Sequence, residues 1–97
     1  MVTHIVMWNF ADHLSDKEKE QAGRKMKEIL EPLKEQIPGV LSLKVVIQPL
    51  ASSTKDVALI GEYESEEALK GYAVHPLHVE AGAYIKTVTC NRECLDY

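Results

Sequence analysis

Three side chains suited to acid–base chemistry, Tyr72, His75 and His78, fall within seven consecutive residues, and His4 adds another imidazole near the start of the chain. A neutral imidazole, with a pKa near ~6.5, can accept a proton close to neutral pH. A tyrosine hydroxyl can donate a hydrogen bond to a carbonyl oxygen on which negative charge is building. Such a pair is sufficient to remove a proton next to a carbonyl group. This chemistry requires no cofactor and no metal, and we predict neither.

Each of these residues also has a structural explanation, which is the more common one for any of them taken singly. His75 precedes Pro76 and can cap a helix end, while Tyr72 can be a core ring with a solvated hydroxyl. His13 lies in a predicted turn, where we expect it to be solvated.

The segments that must position these residues begin with a strand and a helix. Residues 2–10 are rich in β-branched and aromatic side chains and predict a strand, one face of which consists of His4, Val6, Trp8 and Phe10. Ser15 and Glu18 have the spacing of a capping box, and apolar residues then recur at three- and four-residue steps. Pro32 predicts a break in this helix near Glu31.

The second half of the chain also alternates between predicted strands and helices. Residues 40–47, 56–64 and 87–95 predict strands, and in the first of these we expect one face made of Leu41, Leu43, Val45 and Ile47. Ser65 caps a short helix, His75-Pro76 interrupts it, and helix resumes over about 77–85. The order β-α-β-β-α-β predicts a ferredoxin-like α+β fold forming a single domain over residues 1–97.

Two helices can cover only one face of a four-stranded sheet. The other face is predicted to carry a mostly apolar set: Ile5, Met7, Val46, Ala58, Ile60, Val88 and Cys90. Because an exposed apolar patch of this kind usually marks an interface, we expect a homodimer in which this face packs on its copy.

Composition excludes several classes of protein. The 97 residues carry a formal net charge of −4, which argues against nucleic-acid binding, and no apolar run approaches the ~20 residues of a membrane span. With no secretory signal pattern at residues 1–4, we expect a cytoplasmic protein. Cys90 and Cys94 would lie about 13 Å apart on one strand, too far for a disulfide, so free thiols are predicted. No histidine lies near them in sequence, which argues against a zinc site.

Several motifs, in order along the whole chain, resemble one known family. They are His4-Ile5-Val6, Ile37-Pro38-Gly39-Val40, Tyr72-x₂-His75-Pro76-x-His78 and Asp96-Tyr97. Together they resemble the stress-responsive dimeric α/β-barrel (Dabb) family, which implies a ferredoxin-like protomer whose sheets pack face to face in a homodimer. The family includes the plant olivetolic acid cyclase, which closes a linear polyketide by a cofactor-free aldol condensation.

The resemblance implies a catalytic pair, in which His78 removes the α-proton and Tyr72 holds the carbonyl as it becomes an enolate. It also implies a pocket between helices and sheet that binds a small, largely apolar molecule. The residues expected to contact this molecule are His4, Val6, Trp8, Met26, Leu59, His75 and Val79. Three functions stay open at this point: a cofactor-free cyclase or lyase, a binding module without turnover, and a structural or stress-associated dimer.

Overall fold

The computed structural model describes residues 1–97 and contains four strands and four helices. In chain order these are β1 (Val2–Phe10), α1 (Asp16–Leu30), α2 (Leu33–Gln36), β2 (Val40–Val46), β3 (Val57–Tyr63), α3 (Glu66–Val74), α4 (Pro76–Val88) and β4 (Thr89–Asp96). The strands form one antiparallel sheet in the order β2-β3-β1-β4, which is the ferredoxin-like topology. None of the helices is both long enough and apolar enough to span a membrane.

The helix boundaries follow from side chains at their ends. The Ser15 hydroxyl accepts the Glu18 N–H, and the Glu18 carboxylate accepts the Ser15 N–H, so the predicted capping box is confirmed. Pro32 separates α1 from α2 at the predicted break, and the Ser65 hydroxyl caps α3. The break between α3 and α4 also falls at the predicted His75-Pro76.

The core lies between the helices and the inner face of the sheet. Sixteen buried residues form it, and alternate residues of β3, Val57, Leu59 and Tyr63, supply its centre. The outer face of the sheet carries no helix, and its central positions pair Ile5 with Ile60 and Met7 with Ala58 across β1 and β3. The period of two along each strand therefore separates a packed face from an uncovered apolar one.

Two predicted side-chain directions are wrong. The pairing of β2 with β3 shifts between Val40 and Ser42, so Val40 is buried while Leu41 is 41% exposed. A bulge adds one residue to a strand and reverses the faces on one side of it, which a strict alternation cannot anticipate. Val88, expected on the outer face, ends α4 and is buried in the core instead, because the helix continues three residues beyond the predicted end at Ile85.

Candidate functional site

A cavity of about 810 Å³ lies between the inner face of the sheet and helices α3 and α4. Eleven of its nineteen lining residues are hydrophobic, so the space suits a largely apolar molecule. Its volume falls within the ~300–1,000 Å³ typical of small-molecule sites. The walls that matter for the chemistry are His4, Val6, Trp8, Leu59, Tyr72 and His78.

Tyr72 lines the cavity, and its buried hydroxyl group lies near the Tyr63 hydroxyl group. The residue lies on α3 and is only 1% exposed, and its hydroxyl oxygen has no hydrogen-bond partner. Burial raises the pKa of Tyr72 to about 12, against a weaker opposing effect of the nearby Tyr63 hydroxyl. The phenol is therefore protonated at neutral pH and can donate a hydrogen bond to a bound molecule.

His78 lies on the first turns of α4 with its ring against Tyr72, at a centroid distance of 4.3 Å. Its Nδ1 is 3.1 Å from the carbonyl oxygen of Ala73. Because a carbonyl oxygen only accepts, we assign the imidazole proton to Nδ1, which leaves the lone pair on Nε2 free. Burial lowers the pKa of His78, the charges of His4 and Arg92 lower it further, and the Ala73 hydrogen bond opposes them. The ring is therefore a neutral base at physiological pH.

Four rings form a continuous row, which we call the aromatic row: His4, Tyr63, Tyr72 and His78. All of them except Tyr63 line the cavity. The centroid distances along the row are 6.0, 5.1 and 4.3 Å. Gly61 makes the row possible, since a Cβ atom at this position would lie 2.6 Å from the Tyr63 hydroxyl oxygen. The Tyr63 ring lies over this glycine, and burial raises the pKa of Tyr63 above its ordinary value.

The pairing of β1 with β4 adds two polar groups beside His4. His4 is opposite Asp96, and Val6 is opposite Cys94, so all these residues face the helices. The Asp96 carboxylate is hydrogen-bonded to His4 Nδ1, and this contact lowers the pKa of Asp96 despite its partial burial. Cys94 Sγ is 3.8 Å from His4 Nδ1 and 3.6 Å from Asp96 Oδ1. These three side chains are the residues of the chain that could hold a metal ion together.

A model of the stress responsive A/B barrel domain family matches residues 2–97. The chain belongs to this family. The resemblance and the ferredoxin-like fold predicted from the sequence are therefore confirmed. Comparison with curated proteins gives no match.

Solved structures share the fold of this A/B barrel domain over nearly its whole length. A dimeric ferredoxin-like protein of unknown function from Bacteroides fragilis is 31% identical, with a TM-score of 0.91 over 99% of this chain and 93% of that one. At3g17210 from Arabidopsis thaliana is 19% identical, with a TM-score of 0.81 over 100% and 93% of the two chains. A hydroxynitrile lyase from Passiflora edulis is 16% identical, with a TM-score of 0.79 over 99% and 90%. At such low identities the last two show a common fold alone.

The A/B barrel domain brings together six of the nine residues singled out in the sequence: His4, Val6, Trp8, Leu59, Tyr72 and His78 line the cavity. Three others do not line it. Met26 is fully buried in the core beneath α1, and Val79 is 57% exposed on the outside of α4. His75 caps α4 by accepting the Leu77 N–H, which agrees with the structural explanation for it. Val79 points away because α4 turns through about 100° per residue after His78.

Cys94 and Asp96 of the A/B barrel domain were missed as cavity residues. Spacing along the chain separates them from His4 by about ninety residues, and only the register of β1 against β4 brings the three together. One feature of the sequence could have indicated that these two residues lie together: residues 94 and 96 must share a face of any regular strand.

Proposed function

We propose that the cavity binds a small, largely apolar molecule with a carbonyl group, and that Tyr72 and His78 catalyse removal of a proton next to that carbonyl. The observation that carries this proposal is the position of Tyr72, which lines the cavity together with His78, packs its ring against that neutral imidazole and buries a hydroxyl group that has no hydrogen-bond partner. A buried polar group left unpaired costs roughly 1–3 kcal/mol, so its retention is explained if a ligand supplies the partner.

The roles follow from which atoms are free. The Tyr72 O–H donates to the carbonyl oxygen, and Nε2 of His78 takes the proton from the adjacent carbon. The electron pair of the broken C–H bond moves into the carbonyl, giving an enolate whose oxygen stays hydrogen-bonded to Tyr72. The enolate then attacks a second carbonyl carbon of the same molecule, or takes a proton back. His78 returns the proton in either case, so no external reactant is consumed.

The apolar walls assist this chemistry. Val6 and Leu59 line the space with purely apolar side chains, and Trp8 adds a large ring whose only polar group is its indole N–H. In such surroundings the attraction between a developing oxyanion and the Tyr72 hydroxyl is stronger than in water. The neutral form of His78 is favoured for the same reason, because its charged form is poorly solvated there.

A conservative variant of His78 tests the proposal. His78→Asn keeps an N–H where Nδ1 donates to Ala73 but removes the base, whereas His75→Asn keeps the cap of α4 and serves as the matched control. We expect the protein to accelerate deuterium exchange at the α-carbon of aryl alkyl ketones in D₂O, measured by NMR. His78→Asn should abolish the acceleration and His75→Asn should retain it. Equal exchange with and without protein across such ketones and β-keto thioesters would contradict the catalytic proposal.

A structural function has one observation in its favour, the hydrogen bond from His78 Nδ1 to Ala73, which ties α4 to α3. If this is the only role of His78, His78→Ala should lower the melting temperature, His78→Asn should restore it, and no ketone should stabilise the wild-type protein. Thermal denaturation of the three proteins, with and without ketone, separates the two functions.

We also propose that two copies of the chain pair through the outer face of the sheet. The Bacteroides fragilis relative is described as dimeric, and Ile5, Met7, Ala58 and Ile60 lie together on the face that has no helix. The cavity is lined from the opposite face, so pairing would leave it open to ligands.

A further inference from the structure

Three different metal-binding side chains converge on the inner face of the sheet where β1 pairs with β4. His4 lies directly opposite Asp96, and Cys94 lies two residues before Asp96 on the same face of the strand. All three line the cavity. Their nearest ligand atoms lie within 4.8 Å of one another, so a single ion can reach all of them.

The separations match those of a tetrahedral zinc site. Bond lengths of about 2.3 Å to sulfur and about 2.0–2.1 Å to nitrogen and oxygen place tetrahedral ligands roughly 3.3–3.7 Å apart. Cys94 Sγ already lies 3.8 Å from His4 Nδ1 and 3.6 Å from Asp96 Oδ1. Only Nδ1 and Oδ1, which are hydrogen-bonded to each other, must move apart. The Asp96 side chain is 46% exposed and has room to rotate, whereas the His4 side chain is only 12% exposed and stays in place.

We propose that His4, Cys94 and Asp96 bind a zinc ion through Nδ1, Sγ and a carboxylate oxygen, with the fourth coordination position open to the cavity. One nitrogen, one sulfur and one oxygen ligand suit a borderline-soft divalent ion such as zinc better than the hard ions magnesium and calcium. Zinc sites that bind water or substrate also have three protein ligands and one open position, whereas structural zinc sites have four protein ligands.

Binding requires a defined exchange of protons. The Cys94 thiol loses its proton to solvent and binds as thiolate, and the proton of His4 moves from Nδ1 to Nε2. Asp96 binds as the carboxylate it already is. One proton is therefore released for each zinc bound by the neutral form of His4. Thiolate and carboxylate together neutralise the ion. Burial and the Asp96 carboxylate raise the pKa of Cys94 in the metal-free protein, with Arg92 opposing them, so binding of the ion itself must drive loss of the thiol proton.

Cobalt(II) substitution tests the site, because a cobalt–thiolate bond gives a charge-transfer band in the near ultraviolet and a four-coordinate site gives strong visible bands. We expect one cobalt per chain, displaced by one equivalent of zinc. Cys94→Ser should remove the charge-transfer band, and His4→Gln and Asp96→Asn should each weaken binding by ~10-fold or more. Cys90→Ser is the matched control on the same strand and should leave the spectrum unchanged. Tyr72→Phe should also leave it unchanged, because Tyr72 supplies no ligand to the ion.

Two results would overturn the proposal. One is the absence of a thiolate band in the wild-type protein at saturating cobalt. The other is a charge-transfer band that persists in Cys94→Ser and disappears in Cys90→Ser, because this result would show that Cys90 rather than Cys94 binds the metal. Circular dichroism of each variant, and zinc titration by calorimetry, show whether a lost band reflects lost ligation or lost folding.

Discussion

Tyr63 and Tyr72 each bury a hydroxyl group that has no hydrogen-bond partner, yet only Tyr72 lines the cavity. The two rings are neighbours in the aromatic row and both are almost fully buried, so their packing is similar. They differ in their position relative to the cavity. This difference makes Tyr63 a natural control for Tyr72.

Removing either hydroxyl should raise stability, because the buried polar atom disappears while the ring remains. We expect Tyr72→Phe and Tyr63→Phe each to raise the free energy of unfolding by about 1 kcal/mol. Only Tyr72→Phe should abolish ketone-dependent thermal stabilisation and deuterium exchange. Urea denaturation and the exchange assay together check this. A fall in stability in both variants would show that the hydroxyl groups are paired in solution, and would remove the main support for the catalytic proposal.

The protonation state of His78 makes a prediction about pH. Burial and the charges of His4 and Arg92 lower its pKa, so its neutral form persists below the ordinary value of 6.5. Exchange activity should therefore be constant through neutral pH and fall on the acid side, with a midpoint below 6.5. Tyr72 should contribute no alkaline limb below pH 10, since burial raises its pKa to about 12. An acid midpoint above 6.5 in the pH profile of kcat/KM would exclude His78 as the base.

The sequence predicted that Tyr72 and His78 lie together, and the resemblance placed His4 at the same cavity, but neither indicated Cys94 or Asp96. Tyr72 and His78 lie within one short segment, on either side of the break at His75-Pro76, so the turn from α3 into α4 brings them together without any long-range pairing. Met26 and Val79 were placed in the pocket by resemblance, whereas the packing of α1 and the rotation of α4 direct them elsewhere. The contact of Cys94 with His4 depends on strand register, which no local pattern encodes.

At the level of whole elements, the sequence predicted the ends of helices better than the contacts between one element and another. Ser15 and Ser65 act through hydrogen bonds to nearby backbone groups, and Pro76 acts by restricting the residue before it; the structure confirms all three. The tie between α1 and β2 was not predictable in this way. Glu31, at the end of α1, accepts hydrogen bonds from Lys27 Nζ and from the backbone N–H of Val45, so one carboxylate joins two elements.

Loss of this carboxylate should loosen the tie in a pH-dependent manner. Burial acts to raise the pKa of Glu31, but the bonds from Lys27 and Val45 outweigh it and lower the pKa below its usual 4.5. The stabilisation is therefore complete above pH 4.5 and is lost as pH falls through the lower value in the folded protein. Glu31→Gln should cost about 1 kcal/mol at pH 7, discounted for partial exposure, and nothing once the pH is below that value. Exposed Glu28→Gln is the control in urea titrations, and a pH-independent cost for Glu31→Gln would contradict the argument.

At the scale of the molecule, the two faces of the sheet have different roles, which we call two tasks. Its inner face carries the core and the cavity, and its outer face carries apolar residues that no part of the same chain covers. Alternation along β1 alone assigns His4, Val6 and Trp8 to the first task and Ile5 and Met7 to the second. Because the two faces share a backbone but not side chains, a substitution can affect one task and spare the other.

This separation gives a prediction for assembly. Ile60 lies directly opposite Ile5 on the outer face, so Ile60→Lys would place a charge at the centre of the proposed dimer interface. We expect the wild-type protein to sediment as a dimer and Ile60→Lys as a monomer at the same micromolar concentration. Val79→Glu, which changes a residue that is 57% exposed on the helical side, is the matched control and should remain dimeric. Since every residue of the aromatic row comes from one chain, a folded Ile60→Lys monomer should still bind ketones. A wild-type protein that sediments as a monomer would show that the outer face is left uncovered or serves a different partner.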